Sequence, residues 1–183
     1  MPWGLTRFHH SGQSHFVTFC CYNRRRLFTT DASCRIFESG LERVRRSYRL
    51  NVYGYVVMPE HVHLLLSEPQ RDTLADALKS LKQGVSRRLI GDAEHFWQKR
   101  YYDFNIRNYP QFVEKLCYIH RNPLKQGLCD RPEDWQWSSF RHYATGAEGR
   151  IEIESEWTAR KRERAAVTLR PAVELPHASQ NRA

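Results

Sequence analysis

Apolar residues repeat along this chain with strand-like and helix-like periods that alternate, and the order of those periods predicts an α+β domain. Three observations carry that prediction. His15–Tyr22 is a run of aromatic and β-branched residues with the composition of a strand. Two apolar runs, Val56-Val57 and Leu64–Leu66, are broken by Pro59 and Glu60, so they read as a pair of strands joined by a short turn. Between and after these runs lie stretches with apolar residues spaced by three and four, the signature of helices with one buried face. The full order is strand, helix, strand, strand, helix, strand, helix. That is a ferredoxin-like βαββαβ core with an added C-terminal helix.

Each element has its own justification. After the first strand comes Asn23-Arg24-Arg25-Arg26, a cationic turn. Asp31 is then placed to cap a helix on which Phe37, Leu41, Val44 and Tyr48 form the apolar stripe. Thr73-Leu-Ala-Asp76 has capping-box character and opens a second helix with Leu74, Leu78, Leu81, Val85 and Leu89 on one face. Gly91 is a suitable stop. His95–Arg100 mixes aromatic and cationic side chains in a loop. Tyr101–Arg107 reads as the fourth strand, and Asn108-Tyr-Pro110 starts a third helix whose stripe is Phe112, Leu116 and Ile119. Its end is expected near Asn122, because a residue before proline is pushed out of the α region. Trp135, Trp137 and Phe140 suggest one more packed segment, with Ser138 as its cap. Residues 1–147 are therefore expected to form one domain. Residues 148–183, where charge rises and Pro171 and Pro176 follow a Lys161–Arg164 charge run, are expected to be a basic, flexible tail.

The composition narrows the function. With 183 residues the chain is long enough to bury a real core, and its net charge of +9 favours a polyanionic partner, nucleic acid first among them. Aromatic residues make up 13 %, and aromatic faces are what unpaired bases stack on, although a core uses the same residues. The five cysteines are odd in number and contain no CxxC, which argues against a disulfide framework or a zinc ribbon. No apolar run reaches the roughly 18 residues of a membrane span, and no leader-like apolar region opens the chain. The expectation is a soluble cytoplasmic protein with no membrane partner.

The chemistry concentrates in two short stretches. His61 and His63 open the second strand of the predicted pair. Side chains alternate along a strand, so these two imidazoles and Leu65 share one face, and Val62, Leu64 and Leu66 share the other. Such a pair suits a metal, and equally suits two half-buried histidines with hydrogen-bond partners. Tyr118 and Asn122 lie four apart on the third helix, one above the other. An amide oxygen ligates hard cations, and a tyrosine one turn away is a nucleophile in position; the same two residues also serve as packing and cap. Taken together, His61, His63 and Asn122 would hold Mg²⁺ or Mn²⁺, and the Tyr118 oxygen would attack a phosphodiester. Tyr101 and Tyr102 have the same chemistry without an asparagine one turn on. His120 faces away from Tyr118. Glu60 is a turn residue within reach of an outer shell around the imidazoles. Arg24, Arg25, Arg26, Lys99, Arg100, Arg121 and Lys125 are the candidate DNA backbone contacts.

Four motifs in order, MPEHVHLLL (58–66), WQKRYYDFNIRN (97–108), YIHRNPLKQGL (118–128) and DWQWSSFRHY (134–143), resemble the REP-associated tyrosine transposases, relatives of the single-tyrosine insertion-sequence transposases in the HUH superfamily. The resemblance runs from about His15 to Tyr143. It implies a prokaryotic, divalent-metal enzyme acting on single-stranded DNA that folds into repetitive extragenic palindrome hairpins, with a short tetranucleotide read beside the hairpin foot. It implies His61, His63 and Asn122 as metal ligands and Tyr118 as the cleaving residue. Leu124 and Cys129 stand where valine is more usual, a conservative difference. One tyrosine per chain fits a monomer or a homodimer. The expected activity is cleavage and rejoining through a covalent 5'-phosphotyrosine. The alternatives are a non-catalytic hairpin nucleic-acid-binding module of the same fold, and a metal hydrolase that activates water.

Overall fold

A computed structural model describes residues 13–91 and 95–168. Pro171 and Pro176, read above as part of a flexible tail, lie outside the described residues. Four strands, β1 (Ser14–Cys20), β2 (Val52–Val57), β3 (His61–Ser67) and β4 (Tyr102–Ile106), form one antiparallel sheet in the order β2-β3-β1-β4. With helices α1 (Asp31–Tyr48), α2 (Leu74–Leu89) and α3 (Tyr109–Lys125) this is the ferredoxin-like α+β arrangement the sequence predicts.

The sheet has two differently covered faces. Val17, Phe19, Val62, Leu64 and Leu66 point to one side and pack under α1 and α2. Helix α1 is capped by Thr30, one residue before the expected cap. The Thr30 hydroxyl accepts the Ser33 N–H at 3.1 Å, and Ser33 Oγ accepts the Thr30 N–H at 3.3 Å. Helix α2 has the expected box, with Asp76 N–H on Thr73 Oγ1 and Thr73 N–H on Asp76 Oδ2. The two helices pack closely at Gly40, where a methyl group would meet Val85 and Leu81 at 3.2 and 3.3 Å.

Phe16, Val56, Leu65 and Ile106 point to the other side, where α3 lies and contributes Ile119. Helix α3 approaches the sheet over Gly54; a Cβ there would stand 2.6 Å from Leu116 Cδ1. It does not end at Asn122 as expected. The helix continues through Pro123 to Lys125, with the Gln126 N–H on the Asn122 carbonyl at 3.0 Å. Pro123 sits in the last turn and is buried, so packing offsets the one hydrogen bond that proline forgoes.

The boundary expected at 147/148 also moves. Ile151 and Ile153 are buried in the α1–α2 side of the core, and the Glu154 N–H donates to the Val52 carbonyl at 2.8 Å. Residues 137–139 lie along the same edge of β2: the Val57 N–H reaches the Trp137 carbonyl at 2.8 Å and the Ser139 N–H the Tyr55 carbonyl at 3.0 Å. These segments cover the free edge of β2, and that pairing holds them against the core despite their polar composition. Two helices follow Ser139 and Ser155, α4 (Phe140–Thr145) and a largely exposed α5 (Glu156–Thr168). No helix among the described residues is long and apolar enough to cross a membrane.

Candidate active site

The α3 side of the sheet carries a polar cluster at the end where β3 begins. The β2–β3 turn is pinned by three backbone bonds: Met58 N–H to His61 O at 2.8 Å, Cys21 N–H to Glu60 O at 2.8 Å and Phe28 N–H to Pro59 O at 3.0 Å. His61 and His63 therefore emerge on the α3 face at a fixed height. Their Nε2 atoms stand 3.0 Å apart, and both residues are buried. Asn122 is 3 % exposed, and its Nδ2 lies 3.1 Å from His63 Nε2. Its Oδ1 is buried with no hydrogen-bond partner, which for an amide oxygen is costly unless a cation or donor occupies the space before it. Two imidazole nitrogens and an orphaned amide oxygen at one point are a donor set that fits a divalent cation.

Tyr118 completes the cluster. It lies one turn before Asn122, is 38 % exposed, and its ring centre is 5.2 Å from that of His63. Phe16 from β1 supports both rings, stacked on His63 at 5.4 Å and edge-on to Tyr118 at 5.8 Å. The Lys125 ammonium stands 5.5 Å from the Tyr118 ring centre, a cation beside the phenol. Burial, with a smaller effect from His61, pushes the His63 pKa down to about 3. Burial also lowers that of His61, with the Glu60 hydrogen bond and charge opposing it and the Arg24 charge adding to it. Both imidazoles are thus neutral near pH 7 and keep a free lone pair.

The structure brings His61, His63, Tyr118 and Asn122 together on the α3 face of the sheet. The cationic candidates divide into groups. Arg24–Arg26 and Lys99-Arg100 are exposed in two loops joined by Tyr22 N–H to Phe96 O at 2.8 Å and Gln98 N–H to Cys20 O at 2.9 Å. Because Cys20 pairs with His61, both loops lie at the histidine end of the sheet. Arg121 and Lys125 are exposed on α3, and only Lys125 is placed against Tyr118. His120 points away: its Nε2 is 2.8 Å from Ser139 Oγ, and burial lowers its pKa to about 4. Tyr102 lies on the same sheet face, paired with Thr18 and 41 % exposed, with no asparagine one turn on.

Two residues near the imidazoles were missed or undervalued. Thr18 Oγ1 is 2.7 Å from His63 Nδ1, and Glu60 Oε1 is 2.8 Å from His61 Nδ1. Thr18 becomes visible only through the β1–β3 register, which sets it opposite His63. Among the described residues, no three His, Cys, Asp or Glu are arranged to hold a metal, so a cation beside His61 and His63 would depend on the Asn122 amide for its third protein ligand.

A profile of the family described as "Transposase IS200 like" matches residues 9–122. The chain belongs to that family. It is 28 % identical over 137 residues to the REP-associated tyrosine transposase of Escherichia coli strain K12, covering 73 % of this chain and 80 % of that protein. It is also 28 % identical over 142 residues to a candidate REP-associated tyrosine transposase of Haemophilus influenzae, covering 70 % of this chain and 80 % of the relative. The fold is similar to that of a solved REP-associated tyrosine transposase bound to a REP hairpin, with a TM-score of 0.69 at 24 % identity, over 84 % of this chain and 93 % of the other.

Proposed function

We propose that this chain is a metal-dependent single-stranded DNA endonuclease and strand transferase that cleaves and rejoins hairpin-bearing DNA through Tyr118. The observation that carries the proposal is the exposed Tyr118 phenol beside two converging neutral imidazoles, one helical turn from the orphaned Asn122 oxygen. His61, His63 and Asn122 would hold Mg²⁺ or Mn²⁺. Bound there, the cation would polarise the scissile phosphate and offset its developing negative charge.

The chain's own residues supply the rest. The Tyr118 oxygen forms a bond to phosphorus and its proton passes to solvent; the bond from phosphorus to the 3' oxygen breaks, and that strand leaves as a 3' hydroxyl after taking up a proton. The 5' phosphate is then joined to Tyr118, so the phosphodiester energy is kept. In the second step another 3' hydroxyl attacks the same phosphorus and frees the phenol, which rejoins DNA without a nucleotide cofactor. Lys125 brings a positive charge beside the Tyr118 ring, on the side where the phosphate would be attacked. Arg24–Arg26 and Lys99-Arg100, at the histidine end of the sheet, are the proposed contacts to the DNA backbone on that side, with Arg121 on the helix. The similarity to a transposase described as bound to a REP hairpin is the reason for choosing that class of DNA. A cytoplasmic location accords with a nucleoid substrate.

The test uses end-labelled single-stranded hairpins from the DNA flanking the gene, incubated with Mn²⁺ or with EDTA and run on a denaturing protein gel. Wild type is expected to give a metal-dependent covalent band, and Tyr118→Phe to give none while binding the hairpin with near wild-type affinity. Cleavage by Tyr118→Phe would overturn the assignment of the nucleophile, and Tyr102 would be examined next. Binding without cleavage by wild type would leave a hairpin-binding module.

A further inference from the structure

The hydrogen bonds around the two imidazoles fix more than their position. A neutral imidazole carries one hydrogen, on Nδ1 or on Nε2, and only the bare nitrogen can ligate a cation. The Glu60 carboxylate is an acceptor, so His61 must present Nδ1–H to it across the 2.8 Å contact. The Asn122 amide nitrogen is a donor, so His63 Nε2 must accept across the 3.1 Å contact, which leaves the His63 hydrogen on Nδ1 for Thr18 Oγ1 at 2.7 Å. Both outer nitrogens are therefore protonated and both inner ones bare. The two Nε2 atoms stand 3.0 Å apart, so both lone pairs lie beside the same point in space.

We propose that Glu60 and Thr18 are positioning residues for the metal site: each takes the Nδ1–H of one histidine and so aims both Nε2 lone pairs at the same cation. The two are placed by separate parts of the fold. Glu60 is held by the pinned β2–β3 turn and Thr18 by its register opposite His63, and both side chains are partly buried, so neither contact depends on a freely rotating surface group. They also differ in kind. Glu60 adds a negative charge that raises the basicity of His61 as a ligand, whereas Thr18 fixes the tautomer and ring angle of His63 without charge.

The proposal rests on the metal reading above, and its test has a readout independent of activity. In ¹⁵N-labelled apo-protein, long-range ¹⁵N–¹H correlation spectra report which imidazole nitrogen carries the hydrogen. Wild type is expected to show the Nδ1–H form for His61 and His63. Thr18→Val, which keeps shape but loses the hydroxyl, is expected to move His63 towards the Nε2–H form, and Thr18→Ser to restore Nδ1–H. Titration of the same folded proteins with Mn²⁺ by calorimetry is expected to show affinity about 10–100-fold weaker in Thr18→Val and in Glu60→Ala, with Thr18→Ser close to wild type. Thermal melts establish that each variant is folded. An Nε2–H form for either histidine in wild type, with Mn²⁺ still bound, would overturn the roles of Thr18 and Glu60 alone. Unchanged Mn²⁺ affinity in both Thr18→Val and Glu60→Ala would do the same. A wild type that binds no Mn²⁺ would overturn the metal reading itself, and this inference with it.

Discussion

The sheet buries histidines on both faces, and His15 and His63 fare in opposite ways. On the α1–α2 face, His15 lies between two carboxylates, Asp103 at 2.9 Å and Glu68 at 3.5 Å. Burial lowers its pKa, but the hydrogen bonds and charges of Asp103 and Glu68 outweigh that and leave it raised. On the α3 face, His63 has no carboxylate partner, and burial with a second imidazole drives its pKa down to about 3. The two residues are of one type and similarly buried, yet one is held ready to be charged and the other is held neutral. The difference lies entirely in which neighbours the strands bring alongside.

The same division separates adjacent residues of β3, and this gives the largest expected effects. Leu64, with no exposed surface, faces α1 and α2; Leu64→Ala is expected to cost roughly 2–5 kcal/mol in a denaturant titration. His63→Ala is expected to lower covalent-adduct yield by more than about 100-fold, with a smaller loss of stability than Leu64→Ala. Adduct formation by folded His63→Ala at the wild-type rate would erase the distinction between the faces.

The glycines that let helices approach each face offer a milder contrast. Gly54→Ala puts a methyl 2.6 Å from Leu116 and is expected to cost roughly 1–3 kcal/mol, with reduced adduct formation as α3 shifts. Gly40→Ala meets its neighbours at 3.2 and 3.3 Å, so it should cost less and leave adduct formation intact. Equal losses of activity would show that α3 is not specially sensitive.

The smallest effect concerns pH. Because the His15 pKa is raised in the folded state, its contribution is complete below about pH 6.5 and is lost as pH rises through the folded value. Asp103→Asn removes the nearer carboxylate. The Tm difference between wild type and variant should therefore be greatest at mildly acidic pH and shrink as pH rises through the folded value. A difference that stays constant with pH would show that His15 carries no such charge.

Much of this was legible in the residues. The Thr73–Asp76 box, the alternation of His61 and His63 with Val62 and Leu64, and the Tyr118–Asn122 spacing are local patterns, and local geometry turns each into a position on a helix or strand. The reading failed where a distant partner overrode a local rule. Pro123 was expected to end α3, yet its burial carries the helix to Lys125. Ile151 and Ile153 stand in a polar stretch that reads as tail, and only the open edge of β2 draws them into the core. Thr18 has no signal of its own, since a threonine in a strand is ordinary, and Glu60 offers only its place in the turn beside His61.

The sequence by itself determined the order of elements, the face each imidazole takes, the basic charge and the tyrosine with its asparagine, because all of these follow from period, composition and spacing. The tertiary structure alone decided that β3 and α3 place Asn122 Nδ2 3.1 Å from His63 Nε2 and the Tyr118 ring centre 5.2 Å from that of His63, that Asn122 Oδ1 is left unpartnered, and that Thr18 and Glu60 stand behind the two histidines. Those facts depend on strand register and helix docking. Both are settled by contacts between residues 40–60 positions apart, which no local pattern encodes.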